Sequence, residues 1–260
     1  MRTSISDLKA KAKDQLLGNY GIATGSFALL FMLVYALFAI LISALTAGMA
    51  PDPLGAVGGG ISYQIITYVV SILIAILSAT VTVGHLYILK QISEGGRPVM
   101  SDLFFVIRNH PDKVIIIALV LSLLQVVLCL PATIVGEKLA VAGIGDTGGR
   151  IFLLYVVLYL AGMIVTLYID LMFAMSYLIY LDNPEMRVTD IIRQSISMMK
   201  GNKFRYFYMI LSFLGYWALI VLSLGIAALW VIPYQNMTMV QFYEDLRDNN
   251  SQEYSEVEVL

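Results

Sequence analysis

Asp170 is the residue whose chemistry is most out of keeping with its neighbours. It sits in Leu167-Tyr168-Ile169-Asp170-Leu171-Met172-Phe173, with no other charge nearby in sequence. A carboxylate in hydrocarbon costs roughly 2.5–3.5 kcal/mol on insertion scales, so such a group faces a partner or a wet cavity. Either burial keeps it protonated or a cation pairs with it. That chemistry serves a proton or cation relay, or a ligand contact; the plainer reading is a carboxylate that snorkels to an interface or bonds a neighbouring helix. His85 closes another apolar run and titrates near pH ~6.5 when unperturbed; its plainer reading is an interfacial histidine. Gln235 and Asn236 follow Pro233, whose missing amide frees a carbonyl within a helix. In a membrane that kink has to face protein or water. Asp170, His85, Gln235 and Asn236 therefore form the candidate intramembrane polar locus. Gln64 and Gln125 are also near or inside apolar runs, where amides link helices at ~0.6–2 kcal/mol each.

Other chemistry is not indicated. The two histidines, His85 and His110, form no HExxH or HxH pattern, and His110 beside Pro111 reads as a solvated loop residue. The single cysteine, Cys129, excludes an intramolecular disulfide and a thiolate cluster, and its apolar setting makes it a small core residue. There is no G-x-S-x-G elbow, Walker loop or dinucleotide fingerprint. No catalytic residue, metal or cofactor is expected. An intramembrane reaction would have Asp170 with His85 as its acid–base pair, which requires about 3 Å between them or one bridging water.

The elements that position these residues follow from composition. Of 260 residues 59% are hydrophobic and 13% charged, with mean hydropathy +0.83. Soluble domains average about 45–50% apolar and ~25% charged residues, and a water-soluble fold of this length still needs a polar shell. The expected class is an all-α, polytopic helical membrane protein. A crossing takes about 20 apolar residues. Pro51-Asp52-Pro53 and Gly58-Gly59-Gly60 mark a turn between the first two runs. The predicted spans are 25–49, 62–89, 114–136, 152–181, 205–222 and 226–246, in an integral membrane domain of residues 1–247 followed by an acidic, unstructured tail at 248–260. The last pair is the least obvious: residues 206–243 carry no charge, and Ser223-Leu224-Gly225 supplies a turn near the middle. The alternative is five spans, with 205–232 as one tilted helix. Residues 24–49 form too long a run for the ~7–15-residue core of a cleaved signal, so they read as a retained span.

Thirteen of the 16 lysines and arginines lie before span one, after span two and after span four. That asymmetry places both termini in the cytoplasm, where anionic lipid attracts the basic segments. Each segment also reads as an amphipathic helix leading into a hairpin. The apolar stripes are Ile5, Leu8, Ala12 and Leu16; Val99, Leu103, Val106 and Ile107; and Val188, Ile192, Ile196 and Met199. Ser4 to Asp7 has capping-box form, Pro98 opens the second helix, and Asn183-Pro184 would cap and open the third. Ser6-Asp7-Leu8, Ser101-Asp102-Leu103 and Thr189-Asp190-Ile191 recur in similar places. Three units are expected, each an interfacial helix plus a transmembrane hairpin.

Several segments carry a family resemblance: Leu8-Lys9-Ala10-Lys11-Ala12, Met198-Met199-Lys200-Gly201, Leu211 to Trp217, Leu222 to Ile226, Leu229 to Tyr234, and Phe242-Tyr243-Glu244-Asp245-Leu246. The sequence resembles the domain-of-unknown-function 975 family of bacterial polytopic membrane proteins. Its closing segment is also similar to the end of the membrane domain attached to some glycerophosphodiester phosphodiesterases, whose soluble catalytic domain has no counterpart here. The resemblance implies a bacterial plasma membrane and a cytoplasmic end after the last span, and it brings no activity or site residues. The leading functional expectation is a non-enzymatic protein that binds or moves a lipid, peptide or small amphipathic solute, or supports envelope homeostasis. The others are an assembly or regulatory subunit docking through the acidic tail, and an intramembrane enzyme acting on lipid. The expected partners are membrane lipids and other membrane proteins, with no nucleic acid.

Overall fold

A computed structural model describes residues 3–47, 61–142 and 146–258, and every regular element among them is helical. The turn expected at residues 51–60 lies outside the described residues. Helix α1 (Ile5–Leu16) begins as the capping pattern requires, with Asp7 N donating to Ser4 Oγ at 3.2 Å. Gly18, at φ +88°, turns the chain into α2 (Tyr20–Ala47). Helix α3 (Ile61–Ser93) follows, then a 3-10 turn at Met100–Phe104 and α4 (Phe105–Arg108). Helices α5 (Pro111–Ala142) and α6 (Asp146–Phe173) form an antiparallel pair, and α7 (Ser176–Asp182) prolongs α6. Then come α8 (Val188–Met199), α9 (Lys203–Leu211), α10 (Leu214–Leu222) and α11 (Ala228–Glu258).

Five stretches are long and apolar enough to cross a membrane: Tyr20–Ile40, Ile65–Ser93, Pro111–Leu139, Gly148–Asp182 and Lys203–Leu222. The chain reverses at 223–227, where Leu224 and Gly225 take positive φ and Gly225 N donates to Ile220 O at 2.8 Å. A single helix over 205–232 is thereby excluded. Helix α11 returns beside α10, with Phe213 edge-on to Tyr234 and Tyr206 against Phe242. It is more polar than the other long helices because Gln235, Asn236 and Gln241 interrupt its apolar residues. With neither glycine nor proline after Pro233 to break it, α11 continues past 246 to Glu258, where an unstructured tail was expected.

The buried core is gathered at the end of the molecule where the basic segments lie. It contains Leu8, Ala12 and Leu16 of α1, the last third of α3, Leu103 and Val106, the start of α5, all of α7 except partly covered residues, and Met237, Val240 and Phe242 of α11. The middle of α6 is open instead, with Leu153 66% and Ile164 64% exposed. The hydrophobic effect drives apolar groups together only where water is the alternative, and lipid tails are as apolar as leucine. The short helices consequently build a compact layer at the basic end, while the long helices present apolar flanks.

Three sequence expectations change in detail. Helix α8 starts at Val188 with Arg187 as its N-cap, because Asn183 to Met186 close a separate turn (Met186 N to Asn183 O, 3.0 Å). Its buried positions are Ile191, Ser195, Met198 and Met199, one residue out of step with the expected stripe; Ser195 Oγ donates to Met172 O at 2.9 Å, which lets a hydroxyl face inward. In the second unit Leu103 and Val106 are buried, but Val99 and Ile107 are exposed, because the segment is a 3-10 turn followed by one α-turn.

Candidate functional site

The α5–α6 pair has a definite register. Gly162 lies where an added Cβ would sit 3.3 Å from Leu128 O, and Gly136 where it would sit 3.2 Å from the Tyr155 ring. Small residues at these points let the backbones approach closely. Beyond this seam the two helices and α3 bound a groove with a cavity of about 840 Å³, within the roughly 300–1,000 Å³ typical of ligand sites. Its walls are mostly apolar and include Leu128, Ala132, Leu158 and Met163. Tyr68 Oη and Thr133 Oγ1, 3.1 Å apart, join α3 to α5 along it.

Asp170 lines this groove together with Gln125 and Thr166. Among the described residues it has no ion-pair partner. Its field reaches Tyr206 of α9. Glu137 lines the opposite end, near Tyr155. From Tyr155 to Asp170 is 15 positions of α6, or ~22 Å of helix rise. Cys129 is exposed and lines the same groove, so it is not the core residue expected from sequence. Its neighbours in sequence are apolar because they face lipid or the groove rather than a sealed interior.

The other three candidates sit elsewhere. His85 is fully buried between α2 and α3, with Nδ1 3.0 Å from Ser26 Oγ and its ring 5.9 Å from that of Phe27. The Ser26 hydroxyl donates to Ala23 O (3.0 Å), which leaves Nδ1 as the donor to Ser26. His85 is not part of the groove lining. Gln235 accepts a hydrogen bond from Trp217 Nε1 at 3.0 Å and so ties α11 to α10. Asn236 is half-buried on the same turn. The four residues thus divide among the groove, the α2–α3 contact and the α10–α11 hairpin.

A second polar assembly, at the basic end, was not singled out from sequence. Asp182 of α7 takes Lys90 Nζ (2.6 Å), Tyr243 Oη (2.5 Å) and Arg247 Nη1 (3.2 Å). Arg205 Nη1 lies 2.7 Å from Asp245 Oδ2, and Thr3 donates to the same carboxylate. Glu244 meets Lys11 (3.5 Å) and Ser93. Gln241 Nε2 donates to Gln15 Oε1 (2.7 Å) and Ser93 Oγ (2.9 Å). Lys9 donates to Ser212 O (2.9 Å) and stands 4.0 Å above the Phe213 ring, bridging the break between α9 and α10; burial there pushes its ammonium below its usual pKa. Three residues of these contacts, the donor Tyr243 and the acceptors Glu244 and Asp245, belong to the closing segment that carries the family resemblance. The resemblance implies a cytoplasmic end after the last span and names none of these partners.

The helices and the lipid-facing exposure of their flanks define a polytopic helical membrane protein. The chain belongs to the family described as Protein of unknown function (DUF975), whose model matches residues 1–250. No curated protein and no solved structure matches it.

Proposed function

We propose that this is a non-enzymatic protein of the bacterial plasma membrane that binds an amphipathic molecule drawn from the bilayer in the α3–α5–α6 groove. One observation carries the reading: an apolar cavity of about 840 Å³ with a carboxylate and an amide at one end. A mostly apolar pocket with a few convergent polar groups is the general form of a small-molecule site. Binding rather than catalysis is supported by the division of His85 and Asp170 between two settings, since acid–base work requires them within hydrogen-bond reach. The same reading has six crossings, with α10 and α11 as the third hairpin and both termini on the cytoplasmic side. The gathering of basic residues on alternate connections supports that orientation. In this arrangement α1, the 100–108 segment and α8 form three interfacial helices, one before each hairpin.

The test is photo-crosslinking of the full chain in nanodiscs containing a phosphatidylcholine with a diazirine on its acyl chain. Adducts located by mass spectrometry should concentrate on groove residues such as Leu128, Leu158 and Met163. Leu153, Val157 and Ile164, which are exposed but outside the groove, serve as the reference. Adducts spread evenly over both sets would overturn the reading.

A further inference from the structure

The charges of the groove are one-sided. Among the described residues its lining contains two carboxylates, Asp170 and Glu137, and no lysine or arginine. Lys203, which lies close by, is directed to Tyr168: its Nζ is 2.7 Å from the hydroxyl and 4.0 Å above the ring, and it is not part of the lining. Asp170 is exposed to the groove, and among the described residues no cation pairs with it. An unpaired carboxylate against an apolar wall is costly, and a cation brought by the occupant removes that cost. The two acids differ in their surroundings. Glu137 is followed directly by Lys138 near the end of α5, whereas Asp170 has uncharged residues on both sides. Asp170 is therefore the carboxylate set among uncharged groups, with Gln125 and Thr166 beside it in the lining.

Resting on the groove as the binding site, we infer that its occupant is an amphiphile bearing a protonated amine, held with the amine at Asp170 and its chain along α5 and α6 toward Glu137. Gln125 and Thr166, which line the groove with Asp170, supply acceptor oxygens for the remaining N–H groups. A primary alkylamine has a pKa near that of lysine, ~10.4, and carries its charge at neutral pH. The ~22 Å of α6 between Tyr155 and Asp170 accommodates one long extended chain. An anionic amphiphile would place like charges together, and a neutral one would leave the carboxylate unpaired.

The experiment uses three diazirine-bearing C18 probes in nanodiscs holding the full chain: the primary amine, its N-acetyl derivative and the corresponding carboxylic acid. The amine is expected to label Leu158 and Met163 about tenfold more than either other probe, the factor that corresponds to ~1.4 kcal/mol. Asp170→Asn should reduce amine labelling to the level of the acetylated probe. Glu185→Gln, at an exposed carboxylate outside the groove lining, should leave it unchanged, and Asp170→Glu should retain most of it. The comparison among probes in the unaltered protein does not depend on any variant folding. Equal labelling by the three head groups, or amine labelling that falls with Glu137→Gln but not with Asp170→Asn, overturns the amine assignment and leaves the groove as a general amphiphile site. Failure of all three probes to favour groove residues over Leu153 and Ile164 overturns the groove reading as well.

Discussion

Lys90 Nζ stands 2.6 Å from Asp182 Oδ1, and the two side chains are only 11% and 12% exposed. Because Tyr243 and Arg247 reach the same carboxylate, one side chain joins α3, α7 and α11. Removing one member of a buried ion pair costs ~3–5 kcal/mol, since it strands the other charge. Asp182→Ala should destabilise the protein by about 3 kcal/mol, read by thermal unfolding in detergent micelles. Lys90 keeps Glu94 at 2.7 Å in that variant, which limits the loss. A change within ~0.5 kcal/mol, typical of ordinary surface substitutions, would contradict a structural role for this junction.

Asp245 falls at the end of the predicted span 226–246, but the structure puts it in the polar assembly at the basic end, outside the five apolar stretches long enough to cross a membrane. Burial raises its pKa, but the hydrogen bonds from Thr3 and Arg205 and the guanidinium charge outweigh burial and hold it below the ordinary carboxylate value. The unfolded chain then binds more protons in the interval between the two values. The contribution of Asp245 is full above ~3.9 and is lost as pH falls through the folded value. The stability advantage of the natural protein over Asp245→Asn should shrink as pH is lowered from about 5 to about 3. An advantage that grows toward acid would have the wrong sign.

Gly84 is required by a close approach. A Cβ there would come 1.8 Å from Leu103 O, which is backbone and has no rotamer with which to yield. Gly84→Ala should displace the 100–104 turn from α3 and cost about 3 kcal/mol, the upper end for overpacking. Gly215, with nothing within 4 Å of its Cβ direction, is the control. Gly215→Ala should be neutral or stabilise α10 by up to ~1 kcal/mol. Equal effects of the two substitutions in thermal unfolding would contradict the packing of the second basic segment.

The six-crossing arrangement predicts where the end of the chain lies. In a Cys129→Ser background, Asn250→Cys should resist a membrane-impermeant maleimide in intact cells and react once the membrane is permeabilised. Labelling of intact cells would instead put that end outside, and the three-unit scheme would fail with it.

The segment-level features of this protein are legible in the sequence because they depend on short-range chemistry. The long helices follow from uninterrupted apolar runs. The start of α1 follows from Ser4 and Asp7, and the reversal after Leu222 from Ser223-Leu224-Gly225. Asp170 stands out because a carboxylate is rare among such neighbours. Tertiary structure alone decided that Asp170 shares a groove with Gln125 and Thr166 while His85 is paired with Ser26. It also decided that Asp182 gathers Lys90, Tyr243 and Arg247, and that α8 turns Ser195 inward. These contacts depend on how each helix is rotated about its axis and where it is broken. In a membrane span that is apolar all round, no hydrophobic stripe records the rotation, so close packing at residues such as Gly162 and Gly136 has to set it.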